Sequence, residues 1–258
     1  MPVALTIATS DSGGGAGIQA DLKTFAANGV YGTSAFAALT AQNPDGVVAI
    51  EELSPKFLRA QLDQLAAYYP IEAVKTGMLF SAPLIKETAC FLRDIGRPPL
   101  VVDPVMVATS GAILLKPDAI ATLKRELLPL AAVITPNLDE AAVLLRCDRI
   151  DAHEMESAAR KLSEAFGTAI LLKGGHLPGD QLVDLLVQPG KTSLKLESTR
   201  IPGVNTHGSG CTLSSAIAAG LAQGLPLSEA VTKAHAYLQR ALKNPLPLGD
   251  KAFIRHLP

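Results

Sequence analysis

Strand-length apolar runs alternate with segments of helical spacing along almost the whole chain, and that alternation restricts the possible folds more than any other feature. Residues 3–8 read as a buried strand and 18–27 as a helix with Ile18, Leu22 and Phe25 on one face. A strand follows over 31–39, a strand or flap over 47–53, and then a helix opened by Ser54 and Pro55. Serine accepts from the free N–H groups of a first turn, and proline's fixed φ suits its first position. Strands over 71–75, 100–103, 132–135 and 169–173 alternate with helices over 82–94, 117–128, 137–145 and 151–166. Residues 182–187 and 193–200 read as a hairpin, and 209–223 and 227–242 as the last two helices. Strand–helix–strand units cross over right-handed and set their strands parallel, so the expected fold is α/β, with helices on a mostly parallel sheet. Strands buried on both faces agree with a chain that is 48% apolar, 4% aromatic and free of Trp. One domain over residues 1–258 is expected, since a single α/β core of that length is ordinary and no linker or repeat interrupts it.

The net charge is −1 and no block of like charge stands out, which argues against a nucleic-acid partner and a polybasic membrane anchor. The three cysteines, Cys90, Cys147 and Cys211, are odd in number and widely spaced, which argues against a disulfide framework or a zinc site. The first residues carry no basic region, their apolar run is only strand-length, and no stretch is long and apolar enough to span a membrane. A soluble cytoplasmic protein is the expectation.

In parallel α/β sheets ligands bind beyond the C-terminal ends of the strands, so polar residues just after strands are the candidates for chemistry. The strongest local signal is Asn205-Thr206-His207-Gly208-Ser209-Gly210-Cys211-Thr212, between a strand and a long helix of small residues. Free N–H groups at a helix N-terminus attract anions, and glycines let phosphate oxygens reach the backbone. No Lys follows the glycines as in a Walker loop, and Leu213 stands where a dinucleotide fingerprint needs its last Gly. Cys211, in the first helical turn, is expected to have a lowered thiol pKa and to act as a base or to position a substrate hydroxyl; the alternative is a small buried hydrophobe. A second loop, Ser10-Asp11-Ser12-Gly13-Gly14-Gly15-Ala16-Gly17, follows the first strand, and its Asp11 is placed to meet a polar group of a ligand. Asp103 ends a strand and Asn137-x-x-Glu140 opens a helix; both acids could hold Mg²⁺ through water, or serve only as caps. Lys173, before Gly174-Gly175-His176, could face a phosphate or simply be solvated, and Gln42 and Met78 could border a flat heterocycle or serve packing. His153, His235 and His256 have no metal-ligand spacing.

Together, LTIATSDSGGGAGIQADLKTFAANGVYGTSA, ALTAQN, KTGML, VVDPVMVATSGA, ITPNLDEAAVL, LLKGGH and NTHGSGCTLSSAIAAGLA run through almost the whole chain in one order and spacing. In these segments the sequence closely resembles the hydroxymethylpyrimidine/phosphomethylpyrimidine kinases of thiamine biosynthesis, within the ribokinase-like superfamily. The resemblance implies a three-layer α/β/α ribokinase-like fold, ATP and Mg²⁺, a homodimer, and stepwise phosphorylation of 4-amino-5-hydroxymethyl-2-methylpyrimidine to the diphosphate. It implies an anion hole of Gly208, Ser209 and Gly210 with Cys211 as the catalytic residue. It implies a pyrimidine pocket of Asp11, Ala16, Thr40, Gln42, Met78 and Val105, with Gln42 hydrogen-bonding the ring. Asp103 and Glu140 would serve the metal, and Asn137, Lys173 and Thr206 the nucleotide. Two positions depart from the pattern. Thr9 stands where the family usually has Gly, adding bulk near the substrate. Thr109 stands where it commonly has Lys, implying a weaker second phosphorylation. The nearest rival is a pyridoxal or pyridoxine kinase, disfavoured by ALTAQN, KTGM and the complete SDSGGGAG segment. A non-catalytic pyrimidine-binding protein need not retain Cys211, Asp103, Glu140 and Lys173 together, and a NAD-dependent enzyme lacks its fingerprint.

Overall fold

A computed structural model describes residues 1–106, 115, 117–175, 177 and 179–257; Thr109, Ser110, Gly111 and His176 lie outside the described residues. In chain order the elements are β1 (Val3–Thr9), α1 (Gly17–Ala27), β2 (Tyr31–Asn43), β3 (Gly46–Glu52), α2 (Pro55–Tyr68), β4 (Ile71–Thr76), α3 (Ala82–Asp94), β5 (Leu100–Val102), α4 (Pro117–Thr122), β6 (Val133–Ile134), α5 (Leu138–Leu145), α6 (Met155–Phe166), β7 (Ala169–Leu172), β8 (Gln181–Val187), β9 (Leu194–Thr199), α7 (Ser209–Ala222), α8 (Leu227–Lys243), β10 (Leu246–Leu248) and β11 (Lys251–Phe253). Nine strands form one sheet in the order β3-β2-β1-β4-β5-β6-β7-β8-β9. The centre, from β2 through β7, is parallel, and β3, β8 and β9 add antiparallel margins.

Successive side chains of a strand point to opposite faces, and here both faces are apolar. Leu5, Ile7, Val74, Val102, Ile134 and Ile170 pack on one side with Leu62, Ile85, Leu138 and Leu162 of α2, α3, α5 and α6. Ala4, Ala73, Val101, Val133 and Leu171 pack on the other with Phe25, Ile217 and Leu238 of α1, α7 and α8. The result is the expected three-layer α/β/α arrangement.

Three segments differ from the sequence reading. β2 continues past residue 39 to Asn43, because β3 folds back on it and pairs Thr40 with Ile50 and Ala41 with Ala49. Thr40 and Gln42 are therefore strand residues on a projecting two-stranded arm. The helix expected over 117–128 ends as α4 and continues as a π turn (Leu123–Leu127) and a 3-10 turn (Leu128–Leu130). Pro129 has no N–H to give an α-helical ladder. The terminal hairpin β10–β11 carries no alternation signal, yet Asn205 N–H donates to Ala252 O at 2.8 Å, so it braces the second glycine loop.

Candidate active site

A cavity of about 940 Å³ opens at the C-terminal ends of the central strands. Its wall includes every sequence-nominated site residue: Asp11, Ala16, Thr40, Gln42, Met78, Asp103, Val105, Asn137, Glu140, Lys173, Thr206, Gly208, Ser209, Gly210 and Cys211. The β2–β3 arm borders one end and β8, β9 and α8 border the other.

The first glycine loop is wound around one carboxylate. Asp11 Oδ1 accepts from Gly13 N–H at 2.8 Å, and Oδ2 accepts from Gly15 N–H at 3.2 Å and Ala16 N–H at 2.8 Å. His207 Nε2 lies 3.0 Å from the same Oδ2, tying the two glycine loops together. Burial works to raise the Asp11 pKa, but the His207 hydrogen bond and the Ala16 and Gly13 amides outweigh it and hold the group below the ordinary carboxylate value. Asp11 thus organises its loop with the oxygens expected to face a ligand. Its folded pKa is depressed, so the clamp's stability is present above the unfolded value near 4 and lost as pH falls through the folded one. Asp11→Ala is expected to cost about 2 kcal/mol at pH 7. The gap in melting temperature between wild type and variant should narrow in scans below about pH 4; a gap independent of pH would refute the clamp.

His207 has a second neighbour, Gln42 Nε2 at 3.4 Å, while Thr40 Oγ1 donates to Ser10 O at 2.9 Å and lies 3.2 Å from Gln42 Oε1. The sequence reading gave His207 no role of its own; only the fold brings it beside Asp11. Thr9 lines the cavity, and its Oγ1 donates to Met78 O at 2.9 Å and pins the loop after β4.

The second loop closes tightly on the first. Gly208 has φ +84°, and an ideal Cβ there would lie 1.9 Å from Gly15 O. α7 begins immediately after it, with no capping side chain and no acid in its first turn, so its positive end faces the cavity. Asp103 and Lys173 adjoin this turn: an ideal Cβ at Gly210 would lie 3.2 Å from Lys173 Nζ and 3.5 Å from Asp103 Oδ2. Lys173 Nζ lies 3.3 Å from Asp103 Oδ1, and Ser214 Oγ donates to Asp103 Oδ2 at 3.4 Å. Asn137 and Glu140 form a reciprocal capping box at the start of α5, each accepting from the other's N–H at 2.8 Å. Burial, with Asp103 adding to it against the pull of Lys173, pushes Glu140 up to about 7.

One expectation is corrected. The Cys211 thiol is not lowered by its helical position; burial pushes it up to about 11, against an opposing pull from Lys75. Lys75 and Asp21 form a fully buried ion pair at 2.8 Å that the sequence reading passed over. A lysine directly after the apolar Ala73-Val74 pair, at the end of the strand 71–75, was the available signal.

A family model described as phosphomethylpyrimidine kinase matches residues 11–256. A hydroxymethylpyrimidine/phosphomethylpyrimidine kinase from Rhizobium meliloti (strain 1021) is 53% identical over 241 residues, covering 93% of this chain and 90% of the relative. The crystal structure of a phosphomethylpyrimidine kinase from Clostridium difficile 630 is 41% identical, with TM-score 0.83, covering 93% of this chain and 99% of that one. A Bacillus subtilis pyridoxal kinase, solved as an ADP complex, is 38% identical with TM-score 0.91, covering 99% of this chain and 97% of that one.

Proposed function

The chain belongs to the phosphomethylpyrimidine kinase family, and from that premise we propose that it moves the γ-phosphoryl group of ATP onto 4-amino-5-hydroxymethyl-2-methylpyrimidine and then onto the monophosphate, giving the diphosphate for thiamine biosynthesis. The observation that carries this reading is the meeting, in one cavity, of the uncapped α7 N-terminus and Cys211 with the Asp103–Lys173 pair and the arm that bears Gln42. A kinase acts on its phosphoryl group mainly by position and charge, which is what such a set supplies.

In this mechanism the Gly208, Ser209 and Gly210 segment receives the transferring phosphoryl at the positive end of α7. Lys173, with Asn137 and Thr206, holds the nucleotide phosphates. Gln42 hydrogen-bonds the pyrimidine ring, Thr40 orients that amide, and Ala16, Met78 and Val105 bound the ring. Asp11 acts through the loop it organises. The hydroxymethyl oxygen attacks the γ-phosphorus in line, and Cys211 orients its proton as a thiol or takes it as a thiolate.

Asp103 and Glu140 suit a divalent cation, and we assign Mg²⁺ to them. Both are hard oxygen donors, and two buried carboxylates near one another, one raised to about 7, are relieved by a cation between them. When bound, Mg²⁺ would neutralise charge on the nucleotide phosphates.

We take residues 1–258 to act as one domain, on the support of the continuous sheet. A homodimer is proposed from the sheet edge: β3 is exposed throughout and presents Val47, Val48 and Ile50 to solvent, an edge that proteins normally cover. No helix among the described residues is long and apolar enough to cross a membrane. We place the reaction in the cytoplasm, where ATP is supplied.

Pyridoxal phosphorylation is the second reading, favoured by the close superposition on the Bacillus subtilis pyridoxal kinase. A coupled ADP-release assay with Mg²⁺ on the pyrimidine alcohol, its monophosphate and pyridoxal, with products identified by mass spectrometry, separates the two. Pyrimidine diphosphate is the expected product. Turnover of pyridoxal alone would overturn the pyrimidine assignment, and no turnover of any would overturn the kinase reading.

A further inference from the structure

The buried ion pair beneath the cavity has no part in the mechanism above. Lys75 and Asp21 are both fully buried, and Lys75 Nζ lies 2.9 Å from Asp21 Oδ1 and 2.8 Å from Oδ2. Thr6 Oγ1 donates to Asp21 Oδ2 at 2.6 Å and Ser215 Oγ donates to Oδ1 at 2.7 Å, so every partner of the carboxylate is fixed. Sequestering two charges from water carries a desolvation cost, and an apolar pair of similar volume would often serve folding as well or better. A core position alone therefore does not explain the lysine.

Its location does. Ser215 lies one helical turn beyond Cys211 on α7, hence on the same face, and it grips the Asp21 end of the pair. The ammonium reaches back under Gly77, where an ideal Cβ would lie 2.9 Å from Nζ, and Lys75, Gly77 and Cys211 all line the cavity. We propose that Lys75 is a positioning residue for phosphoryl transfer: its ammonium, locked by Asp21 under the cavity floor, holds Cys211 toward the thiolate form that can take the substrate's hydroxymethyl proton. The inference rests on the assignment of Cys211 above. In the step, the substrate oxygen gives its proton to Sγ and its electron pair to the γ-phosphorus. The bond from that phosphorus to the bridging oxygen breaks with its pair, leaving ADP, and Cys211 is left as a neutral thiol.

The charges acting on Cys211 come from four elements: Lys75 on β4, Asp21 on α1, Asp103 after β5 and Lys173 after β7. Of these, Lys75 favours the thiolate more strongly than either Asp21 or Asp103 opposes it, and the Gly17 N–H also favours it. Glycine at 77 leaves room for the ammonium; any Cβ there would press on it.

The test is run in a Cys90→Ser/Cys147→Ser background, which removes the two exposed thiols. Alkylation of Cys211 by iodoacetamide at pH 8 is followed by mass spectrometry, beside kcat and KM for the pyrimidine alcohol and ATP. Lys75→Met is expected to slow alkylation about tenfold, since the cation that favours the thiolate is gone. kcat should fall with it while both KM values move less than about twofold, because a group acting only on the base leaves ground-state binding alone. Lys75→Met/Asp21→Asn leaves no buried unpaired charge and should retain the fold even where the single variant does not. It should slow alkylation in the same direction by less, about threefold, since the opposing carboxylate is also gone. An alkylation rate equal to wild type in either variant that keeps the wild-type melting temperature would overturn the proposal. The alkylation readout needs no substrate, so it stands or falls apart from the identity of the phosphorylated alcohol.

Discussion

Cys211→Ala is expected to lower kcat for the pyrimidine alcohol by about 10²–10³-fold, the usual loss when a positioned proton acceptor is removed. The proposed phosphate cradle is backbone, formed by Gly208, Ser209 and Gly210 at the start of α7, and it survives the substitution. KM for ATP should therefore change only a few-fold. The fold should survive as well, because truncating a small, half-buried side chain costs about 1 kcal/mol. Steady-state kinetics beside a thermal melt would check both halves. Since Cys211 is raised to about 11, the wild-type rate should also climb as pH rises through the alkaline range, and that climb should vanish in the variant. Near-normal turnover by Cys211→Ala would remove the proton-accepting role and leave the phosphotransferase assignment standing, because loose phosphoryl transfer needs little base assistance.

Gly208→Ala should be more damaging still, for a reason independent of chemistry. A Cβ at that position meets backbone: Gly15 O at 1.9 Å, Gly15 C at 2.8 Å and Ala16 Cα at 3.1 Å. No rotamer relieves such a clash, so the two glycine loops must part by on the order of 1 Å, a displacement that can cost about 10²-fold in rate at a site that works by position. The new side chain must also adopt φ +84°, which together with overpacking destabilises by about 2–4 kcal/mol. A melting-temperature drop of roughly 5–15 °C is expected for a chain of this size. Gly203→Ala is the control: its φ is +77°, but nothing lies within 4 Å of the added carbon, so only the backbone term of about 1 kcal/mol applies. If the two alanine variants behave alike, the loop-to-loop contact does not govern activity.

The layered α/β fold, the glycine-led start of α7 and the Asn137–Glu140 start of α5 are all legible in the chain alone. Each of these is written in a short window: a repeating apolar run, glycines before a helix, a cap residue three before an acid. The partners of the charged side chains, by contrast, come from contacts between distant parts of the chain. Asp11 and His207 are 196 positions apart, and Asp21 and Ser215 are 194 apart, so no local pattern pairs them. The same is true of Cys211. A helix N-terminus alone predicts a lowered thiol, and desolvation by the walls that the fold builds around it reverses the sign. The length of β2 was decided late too, because its last residues are held by β3 rather than by their own composition. Periodicity is encoded locally and can be read from neighbours in the chain. Burial and charge pairing are properties of neighbours in space, and they exist only once the sheet has closed its two layers around the site.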